Sequence, residues 1–194
     1  NRICRQTVRN ILKEEGIDTS PKRAQGSWEQ FIKMHAKTLW ACDFFTQRVI
    51  TPRGIVNYFL LVFINVESRE IFVSNSTAHP DSAWVTQQAR NFAMHAAGRD
   101  EKPAYLMRDR DTKFTASFDD VFKAEGMNVK VLPVQSPNLN SRCERDIQSI
   151  KQECLDNFLV FGERHLNYLV REYVRYYNED RAHSACGHLP PSCA

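Results

Sequence analysis

Residues 38–74 read TLWACDFFTQRVITPRGIVNYFLLVFINVESREIFVS, a run dense in β-branched and aromatic residues and broken by turn signals at Pro52-Arg53-Gly54 and Glu67-Ser68. It predicts three consecutive strands, Thr38 to Ile50, Val56 to Val66 and Arg69 to Ser74, joined by short hairpins. Ile55 to Val66 is the longest apolar stretch, yet Asn57 and Asn65 interrupt it, and it falls well short of the roughly 20 residues that span a bilayer. Downstream the period changes. Pro80 and Asp81 open a helix carrying Trp84, Val85, Ala89, Phe92 and Ala96 that stops near Gly98. A strand at Ala104 to Arg108, a short helix near Ser117 to Ala124 and a strand at Asn128 to Val134 follow. Pro137-Asn138-Leu139-Asn140 reads as a loop before two long helices. The first has Cys143, Ile147, Ile150, Cys154 and Phe158 as its buried stripe, and the second repeats Leu166, Leu169, Val170, Tyr173, Val174 and Tyr177 at helical spacing. The order βββαβαβαα is that of an α/β protein, a mixed sheet with helices packed on it.

Upstream, Cys4, Val8, Ile11 and Leu12 share one helical face while Arg5, Gln6, Arg9 and Asn10 share the other, and Gly16 stops the helix. Side chains of the second kind reach phosphates and base edges. Asp18 to Gly26 reads as a linker, and Ser27 with Gln30 as a capping box for a helix burying Trp28, Phe31 and Ile32. The chain therefore divides into 1–17, 18–36 and a core at 37–190.

The chain has 194 residues, 42% hydrophobic and 25% charged, with a formal charge of +3. This excludes disordered and collagen-like classes, and seven glycines are few for a turn-rich all-β fold. The charge is too balanced to announce a nucleic-acid partner by itself. Six scattered cysteines suit buried thiols in a reducing compartment, so a cytoplasmic location is expected. His183, Cys186, His188 and Cys193 are residue types that zinc accepts, but their spacing matches no paired site. No secretory signal opens the sequence. Beginning at Asn1 rather than Met, the chain is expected to be a piece of a longer protein.

Three carboxylates stand out. Asp43 lies in Leu39-Trp40-Ala41-Cys42-Asp43-Phe44-Phe45, where a charge among apolar neighbours needs a partner such as a metal ion. Asp109 ends the strand Ala104 to Arg108, at the carboxyl edge where α/β sheets place ligands. Glu144, Gln148 and Lys151 line up along the border of the buried stripe of their helix. Three convergent carboxylates provide the hard oxygen ligands that two divalent cations need for phosphoryl transfer.

These segments resemble the integrase catalytic core shared by retroviral integrases and insertion-sequence transposases, the Asp-Asp-Glu family of ribonuclease H-like fold. The resemblance rests on Leu39 to Phe45, on Arg108-Asp109-Arg110-Asp111-Thr112-Lys113-Phe114 and on Ser136 to Arg145. The 34 residues between Asp109 and Glu144 are close to the family's interval of about 35. The ending Tyr176-Tyr177-Asn178-Glu179-Asp180-Arg181-Ala182-His183 also looks like that of insertion-sequence members. The resemblance implies a five-stranded mixed sheet flanked by helices, with Asp43, Asp109 and Glu144 as catalytic residues and ligands of two Mg2+ or Mn2+ ions. It implies strand cleavage at element ends and 3′-hydroxyl transfer into target DNA, by a homo-oligomer of bacterial origin with no membrane partner. Lys151 matches a lysine contacting the donor DNA end, and Gln148 and Arg142 are further DNA-contact candidates. Residues 1–17 resemble the last helix of a helix-turn-helix domain, with Arg5 and Arg9 towards DNA.

Where many members have Asp-Asn-Gly, this chain has Asp109-Arg110-Asp111, so Asp111 rivals Asp109 as a ligand; Phe114, five residues after Asp109, favours Asp109. Two other functions stay open on the sequence: a DNA-binding relative without chemistry, and a ribonuclease H-like nuclease using a fourth carboxylate.

Overall fold

In a computed structural model the described residues are 15, 28–99, 101–132 and 137–193. The helix expected at residues 3–12, and with it Arg5 and Arg9, lies outside them. Contacts divide the chain into Asn1–Met34 and His35–Ala194. A first helix, α1 (Trp28–His35), is followed by β1 (Leu39–Thr51), β2 (Gly54–Asn65), β3 (Ile71–Val73), α2 (Ser82–Ala97), β4 (Tyr105–Arg108), α3 (Ala116–Ala124), β5 (Asn128–Val131), α4 (Pro137–Glu153) and α5 (Gly162–Glu179).

The sheet order is β3-β2-β1-β4-β5. β1 and β2 form a long antiparallel hairpin from Trp40↔Asn65 to Thr51↔Gly54. Its loop is Pro52-Arg53, and Gly54 takes φ 113°, a conformation that side-chain-bearing residues rarely adopt. The Thr51 hydroxyl donates to the Gly54 carbonyl at 2.8 Å and accepts from the Arg53 N–H at 3.3 Å. β4 joins β1 in parallel over only Leu39–Cys42 against Tyr105–Arg108, and β5 joins β4. The outer half of the hairpin thus projects beyond its parallel neighbours.

The two sheet faces follow the period of two. Trp40, Cys42, Leu61, Phe63 and Leu106 face Val85, Ala89 and Phe92 of α2 and Phe118 and Phe122 of α3. There Phe63 stacks on Phe92 with ring centroids 4.1 Å apart, a contact adding about 0.5–1.5 kcal/mol beyond area burial. The Asp81 carboxylate caps α2 by accepting from the Trp84 N–H at 2.7 Å, as its position before the helix demands. Helices α4 and α5 pack on the hairpin and β3. At the sheet's edge the Asn178 amide of α5 behaves as a strand residue. It accepts from the Ile71 N–H at 3.0 Å and donates to the Ile71 carbonyl at 2.9 Å.

The expected order of elements and the five-stranded mixed sheet flanked by helices are borne out, with three local corrections. Pro137 to Asn140 belong to the start of α4 rather than to a loop, because proline is preorganised for the first helical turn. The helix ends at Glu153, so Phe158 leaves the buried stripe and is 51% exposed, while Leu155 in the following turn takes the buried position. The strand expected to run to Val134 ends at Val131.

Candidate active site

Asp43 and Glu144, from different elements, line one cavity of about 520 Å³. β1 delivers Asp43 one residue past its last pairing with β4, Cys42↔Arg108. Asp109 is the residue that follows β4, immediately after the Arg108 that pairs with Cys42. Helix α4 delivers Glu144: Cys143, Ile147 and Ile150 are buried, which turns Glu144, Gln148 and Lys151 onto the border facing the cavity. The Lys151 ammonium lies 5.9 Å from the Phe45 ring, a cation–π contact that holds it over the floor.

Asp109 itself is not among the residues lining the cavity, whereas Asp111 is. The hydrogen bonds separate their roles. Asp111 commits both oxygens to Lys113: Oδ2 accepts from the ammonium at 2.6 Å and Oδ1 from the backbone N–H at 2.9 Å. Burial raises the Asp111 carboxyl, but these bonds outweigh it and hold the group below its ordinary range. Asp109 uses Oδ1 for the Asp111 N–H at 3.0 Å. The segment between them is fixed at both ends. Arg108 donates from Nε and Nη2 to Asp119 at 2.8 Å each and from Nη1 to the Asp109 carbonyl at 3.0 Å. Phe114 is buried against Phe44 and Phe118, which gives a packing reason for a phenylalanine five residues after the acid.

Among the described residues no three metal-binding side chains stand together at ligand distance. The donor chemistry nonetheless fits a hard divalent cation. Burial pushes the Cys143 thiol well up, and Asp43, Asp146, Glu144 and Asp109 all add to it. The same happens at Cys42, where Asp43 and Asp109 again contribute. The Cys143 thiol thus lies within electrostatic reach of all three candidate acids. Gln148 lines the cavity; Arg142 lies in α4, with its side chain outside the described residues. In the tail, the Cys186 thiol contacts the Ser68 carbonyl and the His183 ring packs on Tyr177, centroids 4.5 Å apart.

Sequence reasoning missed the groups that hold the site in place. A second set of them clamps α4 to α5. Tyr177 donates to Asp146 at 3.1 Å, and Tyr173 donates to Glu153 at 2.9 Å. Arg181 donates to both Glu153 oxygens, at 2.8 and 2.5 Å. The signal was a charged residue on an apolar face: Arg108 in β4 and Asp146 one helical turn before Ile150 both require partners. The sequence does not say which residues those partners are.

The clamp makes stability fall with acid. Arg181 holds the Glu153 carboxyl low against the effect of burial, so its contribution is full above about pH 4.5 and is lost as the pH drops through its lowered value. Burial and Arg181 lower His183, whose contribution is full above 6.5 and is likewise lost on acidification. Asp146, raised by burial, runs the other way: its contribution is full below 3.8 and fades as the pH rises through its folded value. Thermal melts from neutral pH downward should show a falling midpoint, and Glu153→Gln should flatten the part below about 4.5.

A five-stranded mixed sheet flanked by helices, with an aspartate of its central strand and a glutamate of a packed helix lining one cavity, has the architecture of an integrase catalytic core. Comparison with known proteins agrees. Residues 125–191 match the family described as the integrase core domain. An uncharacterized 31.7 kDa protein of insertion element IS407 from Burkholderia multivorans is 23% identical over 155 residues, 79% of this chain and 53% of that protein. The chain thus spans about half the length of this curated relative. The HTLV-2 integrase catalytic core domain in complex with magnesium aligns with a TM-score of 0.63 at 14% identity, over 81% of this chain and 95% of that one. The BIV integrase catalytic core domain aligns with a TM-score of 0.56 at 15% identity, over 80% and 91%. The resemblance seen in the sequence is borne out: the chain has the integrase catalytic-core fold, and its carboxy-terminal third matches the integrase core domain. Among the described residues no helix is long and apolar enough to cross a membrane.

Proposed function

We propose that the protein is an insertion-sequence transposase core that cleaves DNA at element ends and joins the freed 3′-hydroxyl to target DNA. The observation that carries this reading is the one cavity lined by Asp43, Glu144, Gln148 and Lys151, with Asp109 following directly on the Cys42↔Arg108 pair. Asp43, Asp109 and Glu144 would hold two Mg2+ or Mn2+ ions, which when bound activate an attacking hydroxyl and stabilise the leaving oxygen. The magnesium in the HTLV-2 core supports that choice. Lys151, two helical turns after Glu144, neutralises a backbone phosphate entering the cavity, and Gln148 between them orients it. The apolar floor of Phe44, Phe45 and Phe59 limits water around the reacting phosphate. Synapsis of two ends implies a homo-oligomer on DNA. The HTLV-2 integrase core, known in trimeric and dimeric forms, and the simian T-cell lymphotropic virus intasome, whose chain aligns with a TM-score of 0.61, support that reading.

The test is an in-gel strand-transfer assay with the full chain in Mg2+, Mn2+ and EDTA. Joining in either metal and none in EDTA supports the proposal. DNA binding without nicking under any of them would make the protein a non-catalytic DNA-binding relative, and hybrid cleavage without joining would make it a nuclease. The assay also separates the two aspartates. Asp109→Asn should lower joining by about 10³-fold, whereas Asp111→Asn, which loses only the Lys113 pair, should cost about tenfold or less.

A further inference from the structure

The outer half of the β1–β2 hairpin has one covered face and one bare face. Phe45, Val49 and Leu60 are buried on the α4 side, while Thr46, Arg48, Ile50, Ile55 and Asn57 on the opposite side are exposed. The exposed residues pair across the strands as Arg48↔Asn57 and Ile50↔Ile55, and Thr46 pairs with the half-buried Phe59. Among the described residues no helix covers this face: β4 stops at Arg108, opposite Cys42, while β1 runs on to Thr51. At about 3.4 Å per residue, the eight steps from Asp43 to Thr51 extend about 27 Å, the rise of roughly eight base pairs. From Phe44 to Val66 the sequence contains no carboxylate, whereas it contains Arg48 and Arg53. Neither arginine has an ion pair among the described residues.

This face is continuous with the cavity. Thr46 and Phe59 line the cavity and also begin the bare face, and the Lys113 ammonium lies 5.1 Å from the Phe44 ring and 5.6 Å from the Phe59 ring. At the far end Phe161, 57% exposed, bridges Ile50 in parallel, and its ring stacks parallel to that of His165. Cations, an amide and a hydroxyl alternate here with apolar and aromatic surface. A protein partner would call for a contiguous apolar centre depleted of charge. A nucleic-acid strand instead takes spaced cations for its phosphates and flat apolar surface for its sugars and bases.

We infer that the bare face of the β1–β2 hairpin is a DNA track along which the strand leaving the Asp43–Glu144 cavity runs, with Arg48 and Arg53 meeting successive stretches of backbone. The inference rests on the proposed DNA function and adds the direction in which the DNA departs. Its test is the affinity of the full chain for labelled duplex DNA in EDTA, measured between about 50 and 200 mM salt. Arg48→Glu/Arg53→Glu should weaken binding by at least about tenfold and reduce the salt slope by about two, one for each phosphate contact. Arg48→Lys/Arg53→Lys should retain most of the affinity, since a phosphate contact needs only the charge. Arg90→Glu/Lys123→Glu, on α2 and α3, imposes the same change of net charge and should leave the slope unaltered. The inference is overturned if the hairpin reversal leaves affinity and slope unchanged, or if the α2–α3 reversal costs as much. It is also overturned if the hairpin reversal dissociates an oligomer in sedimentation while the slope stays the same, which would make the face an interface between copies. A wild-type chain that binds no DNA would sink the proposed function itself, whereas a wild-type chain that binds and joins beside an unaffected hairpin variant would sink only the track.

Discussion

Strand joining is expected to fall by about 10³-fold or more in Asp43→Asn and in Glu144→Gln, a loss of about 4 kcal/mol of transition-state stabilisation for each. Each substitution removes a charge while keeping shape, and both side chains border the cavity rather than the core. Melting temperature should therefore stay within a few degrees of wild type, and DNA affinity in EDTA should be unchanged or slightly higher. If either variant joins ends at the wild-type rate in magnesium, these carboxylates are not the ones that work. Because residues acting as one unit are not additive, the double variant should be no worse than the weaker single variant.

The second large effect concerns Arg108. With the guanidinium gone, the Asp119 carboxylate loses its paired charge on the side of the core, and Arg108→Ala is expected to cost about 3–5 kcal/mol of folding stability. Arg108→Met/Asp119→Leu removes both charges and fills the space, so denaturant titration should show most of that stability restored. Joining should not return with it, because the donor to the Asp109 carbonyl is still missing. Recovery of both properties together would make the pair structural only.

The parts of this molecule governed by local rules could be read directly from the sequence. Alternating β-branched and aromatic residues predicted β1 and β2, and the apolar period around Cys143 to Ile150 predicted which edge of α4 bears Glu144, Gln148 and Lys151. Phe158 illustrates the limit. Its helical spacing from Cys154 is correct, but the helix has ended by then, and a one-face pattern carries no signal for its own last turn. Composition around Pro137 favours a turn, whereas the geometry of a first helical turn accepts the same residue. The partners Arg108–Asp119, Asp146–Tyr177 and Arg181–Glu153 depend on how distant elements dock. That choice is made by the packed core and not by any single segment. Asp111 rivals Asp109 by residue type and the spacing to Phe114 favours Asp109, while in the fold Asp111, bonded to Lys113, is the one that lines the cavity.

The Asn178 amide that completes the outer side of β3 also has a consequence for synthesis. β3 is three residues long and lies at the margin of the sheet, so its backbone N–H and C=O groups are available to any other strand until something occupies them. Their occupant comes from α5, near the end of the sequence, so a nascent or truncated chain that stops at α4 displays an open β margin next to the apolar β2. Such a product would pair with itself and precipitate. Proteolytic loss of α5 would accordingly remove the protein from solution as well as loosening its catalytic helix.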